Sequence, residues 1–130
     1  EFLSGSKTFF EMVLRSFVDG NLENIKNFTK KTVLQSFRTA INERDKEQET
    51  LVIDLKSIQK NEIISSKVSR SSIKISVIFE SLQVRALSDK NGKIIDGDRE
   101  KEILVKDEWV FERKVNEDNP NWTLIETRSY

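Results

Sequence analysis

Apolar residues at Phe9, Phe10, Val13, Leu14, Phe17 and Val18 recur at three- and four-residue intervals, a spacing that lines one stripe of an α-helix. Thr8 with Glu11 reads as a capping box that starts this helix, and Gly20 as the residue that stops it. Leu22, Ile25 and Phe28 predict a short amphipathic turn. Thr29 then caps a longer helix carrying Val33, Leu34, Phe37, Ala40 and Ile41, which fades into a charged run over 42–49. Three helical segments therefore precede any strand.

From Thr50 the period drops to two. Leu51, Ile53 and Leu55 alternate with Val52, Asp54 and Lys56, and the register slips near Ser57 to Gln59 before Ile63 and Ile64, as a β-bulge requires. The next strand alternates at Ile73, Ile75, Val77 and Phe79 and then moves to the other parity at Leu82, Val84 and Ala86, which predicts a second bulge near Glu80 and Ser81. Ser88 to Glu100 holds Asn91-Gly92 and Asp96-Gly97 and reads as a long hairpin connection. A third strand carries Ile103, Val105, Trp109 and Phe111. A turn at Asp118-Asn119-Pro120 leads to a fourth with Trp122 and Leu124. Short connections favour antiparallel pairing, so the expectation is an α+β fold, with N-terminal helices packed on a curved four-stranded antiparallel sheet. A single domain over 1–130 follows, helical over 1–49 and a sheet over 50–130.

Composition changes the picture mainly by exclusion. Eight Phe, two Trp and thirteen Ile supply core material that disordered chains lack, although charged residues reach 34%. Lys plus Arg and Asp plus Glu are both 22, so no global positive field draws the chain to nucleic acid. With neither cysteine nor histidine, thiol nucleophiles, thiolate metal sites, the commonest general base and the Ser-His pairing are all missing. No metal, cofactor or catalytic set is expected. No run approaches the roughly 18–20 apolar residues of a transmembrane helix, so the chain reads as soluble.

Four features invite chemistry. Asp107 shares the parity of Val105, Trp109 and Phe111, and a carboxylate on an apolar face can have a raised pKa and act as general base; an ion pair with Arg85 or Arg113 is the plainer reading. The run from Asp89 through Asn91, Asp96 and Asp98 to Glu100 lacks the ligand rhythm of a calcium loop and reads as turn chemistry. Between Glu23 and Asn42 the cations Lys26, Lys30, Lys31 and Arg38 face one acid, a pattern suited to anionic lipid headgroups as well as to a solvated helix face. Finally, Phe10, Leu14, Phe17, Val77, Phe79, Trp109 and Phe111 are placed to line an apolar pocket where the helices meet the sheet, although core packing accounts for any one of them equally well.

The opening Phe2-Leu3-Ser4-Gly5-Ser6-Lys7, continuing through Phe10-Glu11-Met12-Val13 to Phe17, Gly20 and Leu22, resembles the start of the Tim-forty-four-like domain. The stretches Asp107-Glu108-Trp109-Val110-Phe111-Glu112-Arg113 and Asp118-Asn119-Pro120-Asn121-Trp122-Thr123-Leu124, and the Asn91-Gly92 turn before Ile95-Asp96-Gly97-Asp98, are similar to the same family. The resemblance implies a cone like that of the nuclear-transport-factor-two and cystatin folds, with a large apolar pocket. It also implies a non-catalytic scaffold or adaptor peripheral to a membrane and related to protein translocation. An acyl chain or a hydrophobic partner segment would fill the pocket, and the partners would be an anionic phospholipid membrane and a protein of a translocation or assembly machinery. Scarce alanine with abundant Lys, Ile and Asn points to an AT-rich bacterial genome, and for a bacterial member the resemblance implies the cytoplasmic face of the inner membrane, with an anchor upstream of Glu1, ahead of the mitochondrial matrix side. The alternative is a small isomerase or hydratase of the same cone fold using Asp107 as base.

Overall fold

The computed structural model describes residues 1–115, 118 and 121–130. Helix α1 spans Phe2–Asp19, a short 3₁₀ turn Lys26–Phe28 and helix α2 Lys31–Lys46. Strands follow as β1 Thr50–Val68, β2 Ser72–Ser88, β3 Ile94–Gly97, β4 Ile103–Lys114 and β5 Thr123–Ser129. The expected turn at Asp118-Asn119-Pro120 includes Asn119 and Pro120, which lie outside the described residues.

Helix α1 begins well before the expected Thr8 cap. Glu1 is the N-cap, its carboxylate accepting the Leu3 N–H at 2.9 Å. The small polar residues of the first turns are weak helix formers in isolation, but here their hydroxyls bond carbonyls one turn back: Ser4 to Glu1, Ser6 to Leu3 and Thr8 to Ser4. Phe2 packs edge-on to Phe111 and Trp122, and that tertiary contact extends the helix beyond what local propensity supports. The C-terminal stop is as expected. Gly20 takes the left-handed conformation at φ 73°, and its N–H and that of Asn21 close onto Phe17 and Ser16.

Thr29 does not cap α2. Its buried hydroxyl donates to the Ile25 carbonyl at 2.8 Å, its backbone bridges Leu124, and the next N–H, that of Lys30, donates to the Leu124 carbonyl at 2.8 Å. That corner fastens the helical half to β5. Lys30 is the N-cap of α2 and supplies no side-chain bond there. At the other end of α2, Arg44 is only 9% exposed and reaches back to α1. Its guanidinium donates to the Phe17 and Val18 carbonyls at 2.9 and 3.2 Å and lies 5.2 Å from the centre of the Phe17 ring. It thereby gives the Val18 carbonyl a donor at the end of α1 and adds a second donor to the Phe17 carbonyl, which the Gly20 N–H already meets.

The sheet runs in the order β1-β2-β4-β5, antiparallel throughout, with β3 added beside β2, and it does not close into a barrel. The segment read as a plain connection thus contains a fifth strand. Gly97 makes it possible: at φ 78° it passes so close to the Arg85 carbonyl that a Cβ would collide with it. The slip expected in β1 is present three times over, with Lys56, Gln59 and Ile64 each inserted opposite an unbroken β2. The bulge expected in β2 is not there. From Ser72 opposite Lys114 to Gln83 opposite Ile103 the β2–β4 ladder runs without a shift. The apolar residues change parity because an interior strand buries both faces. Ser81 and Gln83 keep the parity of Val77 and Phe79, while Ile78, Val84 and Ala86 are buried on the other side.

Between helices and sheet lies a core built on Phe10, Val77, Phe79 and Leu124, all fully buried, with Val13, Ile25, Trp109 and Phe111 around them. Within it Gln83 is 1% exposed; its amide donates to the Ser81 hydroxyl at 2.8 Å and its carbonyl oxygen has no partner among the described residues. Replacing Arg44 by Ala removes two charge-assisted hydrogen bonds and a ring contact, and a loss of about 2 kcal/mol is expected. Thermal denaturation should show a Tm lower by roughly 6–10 °C. Both bonds leave from the one nitrogen Nη2, so Arg44→Lys should recover part of this through its ammonium while losing the guanidinium plane over the Phe17 ring.

Candidate functional site

Five of the seven residues expected around a pocket do come together: Phe10, Val77, Phe79, Trp109 and Phe111. The first four enclose no open space. Phe10 stacks on Phe79 with ring centres 4.4 Å apart and planes at 16°, and Trp109 stands 4.9 and 5.4 Å from these two rings. They fill one another's contact surface and form the core. Phe17 lies apart, edge-on to Phe37 at 6.0 Å. Leu14 borders a separate cleft of about 340 Å³ with Glu11, Arg15, Val18, Ile53 and Leu55.

The open space is at the other end of α1. A cavity of about 590 Å³ is lined by Phe2, Phe9, Met12, Phe28, Phe111 and Trp122, with Glu1, Gly5, Ser6, Thr8 and Asn121 contributing small or polar groups. Of the seven expected residues, only Phe111 reaches it. Its walls are held by edge-to-face ring pairs: Phe2 with Trp122 at 5.0 Å, Phe2 with Phe111 at 5.6 Å, Phe9 with Phe111 at 6.1 Å and Phe9 with Phe28 at 6.4 Å. The cavity exists because the helix surface between these rings carries almost no bulk. A Cβ added at Gly5 would meet nothing within 4 Å. Volume and lining match those of pockets that take small apolar ligands. A signal for it was present in the sequence, where Gly5, Ser6 and Thr8 interrupt aromatic residues, but it becomes readable only once the helix is known to begin at Phe2.

Of the four basic residues, Lys26 is tied to Glu23 at 2.7 Å, and this hydrogen bond and charge hold the Glu23 carboxyl below its usual range. Lys30, Lys31 and Arg38 are exposed, and Lys31 and Arg38 stand seven residues apart on one face of α2. Lys30 turns toward a groove of about 340 Å³ shared with Lys74, Glu112, Lys114, Thr123 and Ile125, which also borders Asn121. The apolar cavity and this groove therefore adjoin.

Asp107 sits half-buried in β4 between Phe79 of β2 and Ser129 of β5, and does not border the cavity. Burial raises its pKa, while the Ser129 hydroxyl, donating at 2.8 Å, and the charge of Arg85 work against the rise. No group of three or more acidic residues placed to hold a metal occurs among the described residues. Because the folded state holds the Asp107 proton more tightly than the unfolded chain, its ionisation weakens the fold as pH rises through the folded pKa. Asp107→Asn keeps an acceptor for Ser129 without the buried charge. It should melt higher than the parent at pH 7, with the gap closing below about pH 4, the ordinary Asp range. Paired thermal melts across that window measure this.

A solved structure, that of the intermembrane-space region of the chloroplast protein ARC6, superposes with a TM-score of 0.55 over 88% of this chain and 82% of that one, at 13% identity. At that identity the likeness concerns the fold. No curated protein matches the chain in sequence. The model of the Tim44-like domain matches residues 1–129. With the family's model covering the helices and every strand just described, the chain belongs to the Tim44-like domain family.

Proposed function

We propose that this domain is a non-catalytic, membrane-peripheral scaffold whose cavity beneath the first turns of α1 takes a lipid acyl chain or a hydrophobic segment of a partner. Family membership associates the chain with protein translocation at a membrane, and domains of this kind are generally non-catalytic scaffolds. The observation that carries the finer reading is the cavity of about 590 Å³ walled by Phe2, Phe9, Phe28, Phe111 and Trp122. Rings held apart by their own edge-to-face contacts leave apolar surface uncovered, and an apolar guest removes it from water. Among the described residues no helix is long and apolar enough to cross a membrane. In this reading attachment is therefore peripheral for the part described, with Lys26, Lys30, Lys31 and Arg38 toward anionic phospholipid headgroups. The bacterial inner membrane, at its cytoplasmic face, is the setting in which we place it, beside a protein of a translocation or assembly machinery. Asp107 is outside the lining of this cavity, so the cavity lends no support to the isomerase or hydratase alternative.

Co-sedimentation with vesicles of zwitterionic lipid, with and without anionic lipid, tests this. Binding is expected only with anionic lipid and should fall with salt. Neutralising Lys30, Lys31 or Arg38 should weaken it roughly fivefold each, from about 1 kcal/mol per cation near a charged surface. Gly5→Leu, which projects into the cavity, should weaken acyl-chain uptake while leaving the Tm unchanged or higher. Failure to bind at any ionic strength would remove the membrane from the proposal.

A further inference from the structure

The cavity does not end at Asn121. The groove beyond it, lined by Lys30, Lys74, Glu112 and Lys114, shares Lys74 and Ile125 with a further groove of about 360 Å³ that continues to Lys67, Glu108 and Arg128. Together the two form a track beside β5 from Asn121 to Arg128, about 23 Å at the rise of an extended strand. Five cations line it against three carboxylates, Glu108, Glu112 and Glu126, in a chain whose total charge is zero. The carboxylates are engaged: Glu112 lies 4.0 Å from Lys74 and 3.4 Å from Lys114, and Arg128 meets Glu126 at 2.8 Å and Glu108 at 3.9 Å. Lys30 and Lys67 are in no ion pair among the described residues. Lys30, moreover, caps the N-terminus of α2, where the helix dipole disfavours a cation and no acidic residue of the first turn offsets it. Its charge works against the helix and faces outward onto the track.

From this juxtaposition we propose that the track and the cavity together form a single docking site for an extended peptide of a partner protein. An aromatic or branched aliphatic side chain would occupy the cavity against Trp122, and Asp or Glu residues on the adjoining six or seven positions would lie over Lys30, Lys74, Lys114, Lys67 and Arg128. The inference rests on reading the cavity as a docking site and names its occupant. A lone phosphate would meet its cations at one point. Here they are strung along a line and interleaved with carboxylates, which matches side chains presented at alternate positions of an extended chain. The apolar end gives anchorage and the charged run gives register and direction.

A displayed library of random dodecapeptides, selected on the full chain, is the test. Enriched sequences should carry one large apolar residue with two or more acidic residues within the next seven positions, on one side of it. Synthetic versions should bind Gly5→Leu at least tenfold more weakly. They should also lose at least tenfold with Lys30→Glu/Lys67→Glu, and regain it when their acids are changed to lysine. These two positions are chosen because neither lysine supports a glutamate of the fold. Enriched peptides that depend on Gly5 but show no acidic bias would overturn the inference and leave the cavity reading standing. If no peptide is enriched while anionic vesicles still bind in a Gly5-sensitive way, lipid is the occupant and the peptide site is wrong. If neither peptides nor vesicles respond to Gly5→Leu, both readings fall.

Discussion

The contact on which the rest of this structure depends is the stack of Phe10 on Phe79 with Trp109 against both. It joins α1 to the middle of β2 and β4 at a point where all three rings are out of water, and burial of this much aromatic surface is worth several kcal/mol. Once Phe10 is fixed there, the course of α1 follows. Seven residues further on, Phe17 meets Phe37 and the Arg44 guanidinium, which ties in α2. Eight residues earlier, Phe2 arrives beside Phe111 and Trp122. The cavity lies between these anchored points, where the helix carries Gly5 and small hydroxyl residues in place of bulk. Core and cavity are consequences of one helix with aromatic residues at both ends of a sparse stretch.

How much of this could be read from the residues differs from element to element, for physical reasons. The centre and end of α1 were legible because Phe10, Val13 and Phe17 recur at helical spacing and Gly20 supplies the left-handed stop. Its beginning was not, because Ser4, Gly5 and Ser6 are poor helix formers, and the contacts of Phe2 with Phe111 and Trp122 that extend the helix there are long-range. The slip in β1 showed as a break in alternation. The apparent slip in β2 misled, since alternation identifies a bulge only in a strand with one wet face and β2 has none over Val77–Phe79. Strand β3 was hidden because Asn91-Gly92 lies just before it and Asp96-Gly97, read as a turn signal, is itself half of a strand of only four residues.

The pocket illustrates a related limit. Spacing marked Phe10, Phe79 and Trp109 as inward-facing, which is correct, but facing inward does not separate a filled core from an empty one. That distinction depends on what is missing between side chains, and a missing side chain leaves no periodic trace. Fold membership, by contrast, came from several ordered segments at once and holds over residues 1–129 even though the ARC6 region is only 13% identical.

The three insertions of β1 bear on a matter separate from curvature. At 19 residues β1 is the longest strand, it ends the sheet on one side, and it exposes Ile63, Ile64 and Val68. A straight strand of that length and character would offer an unbroken row of free backbone donors and acceptors to any second chain, the usual start of edge-to-edge aggregation. Lys56, Gln59 and Ile64 break the row into runs of only a few residues, each turned relative to the next. A second chain cannot add to all of them in one register. The irregularity that shapes the sheet therefore also guards its open border.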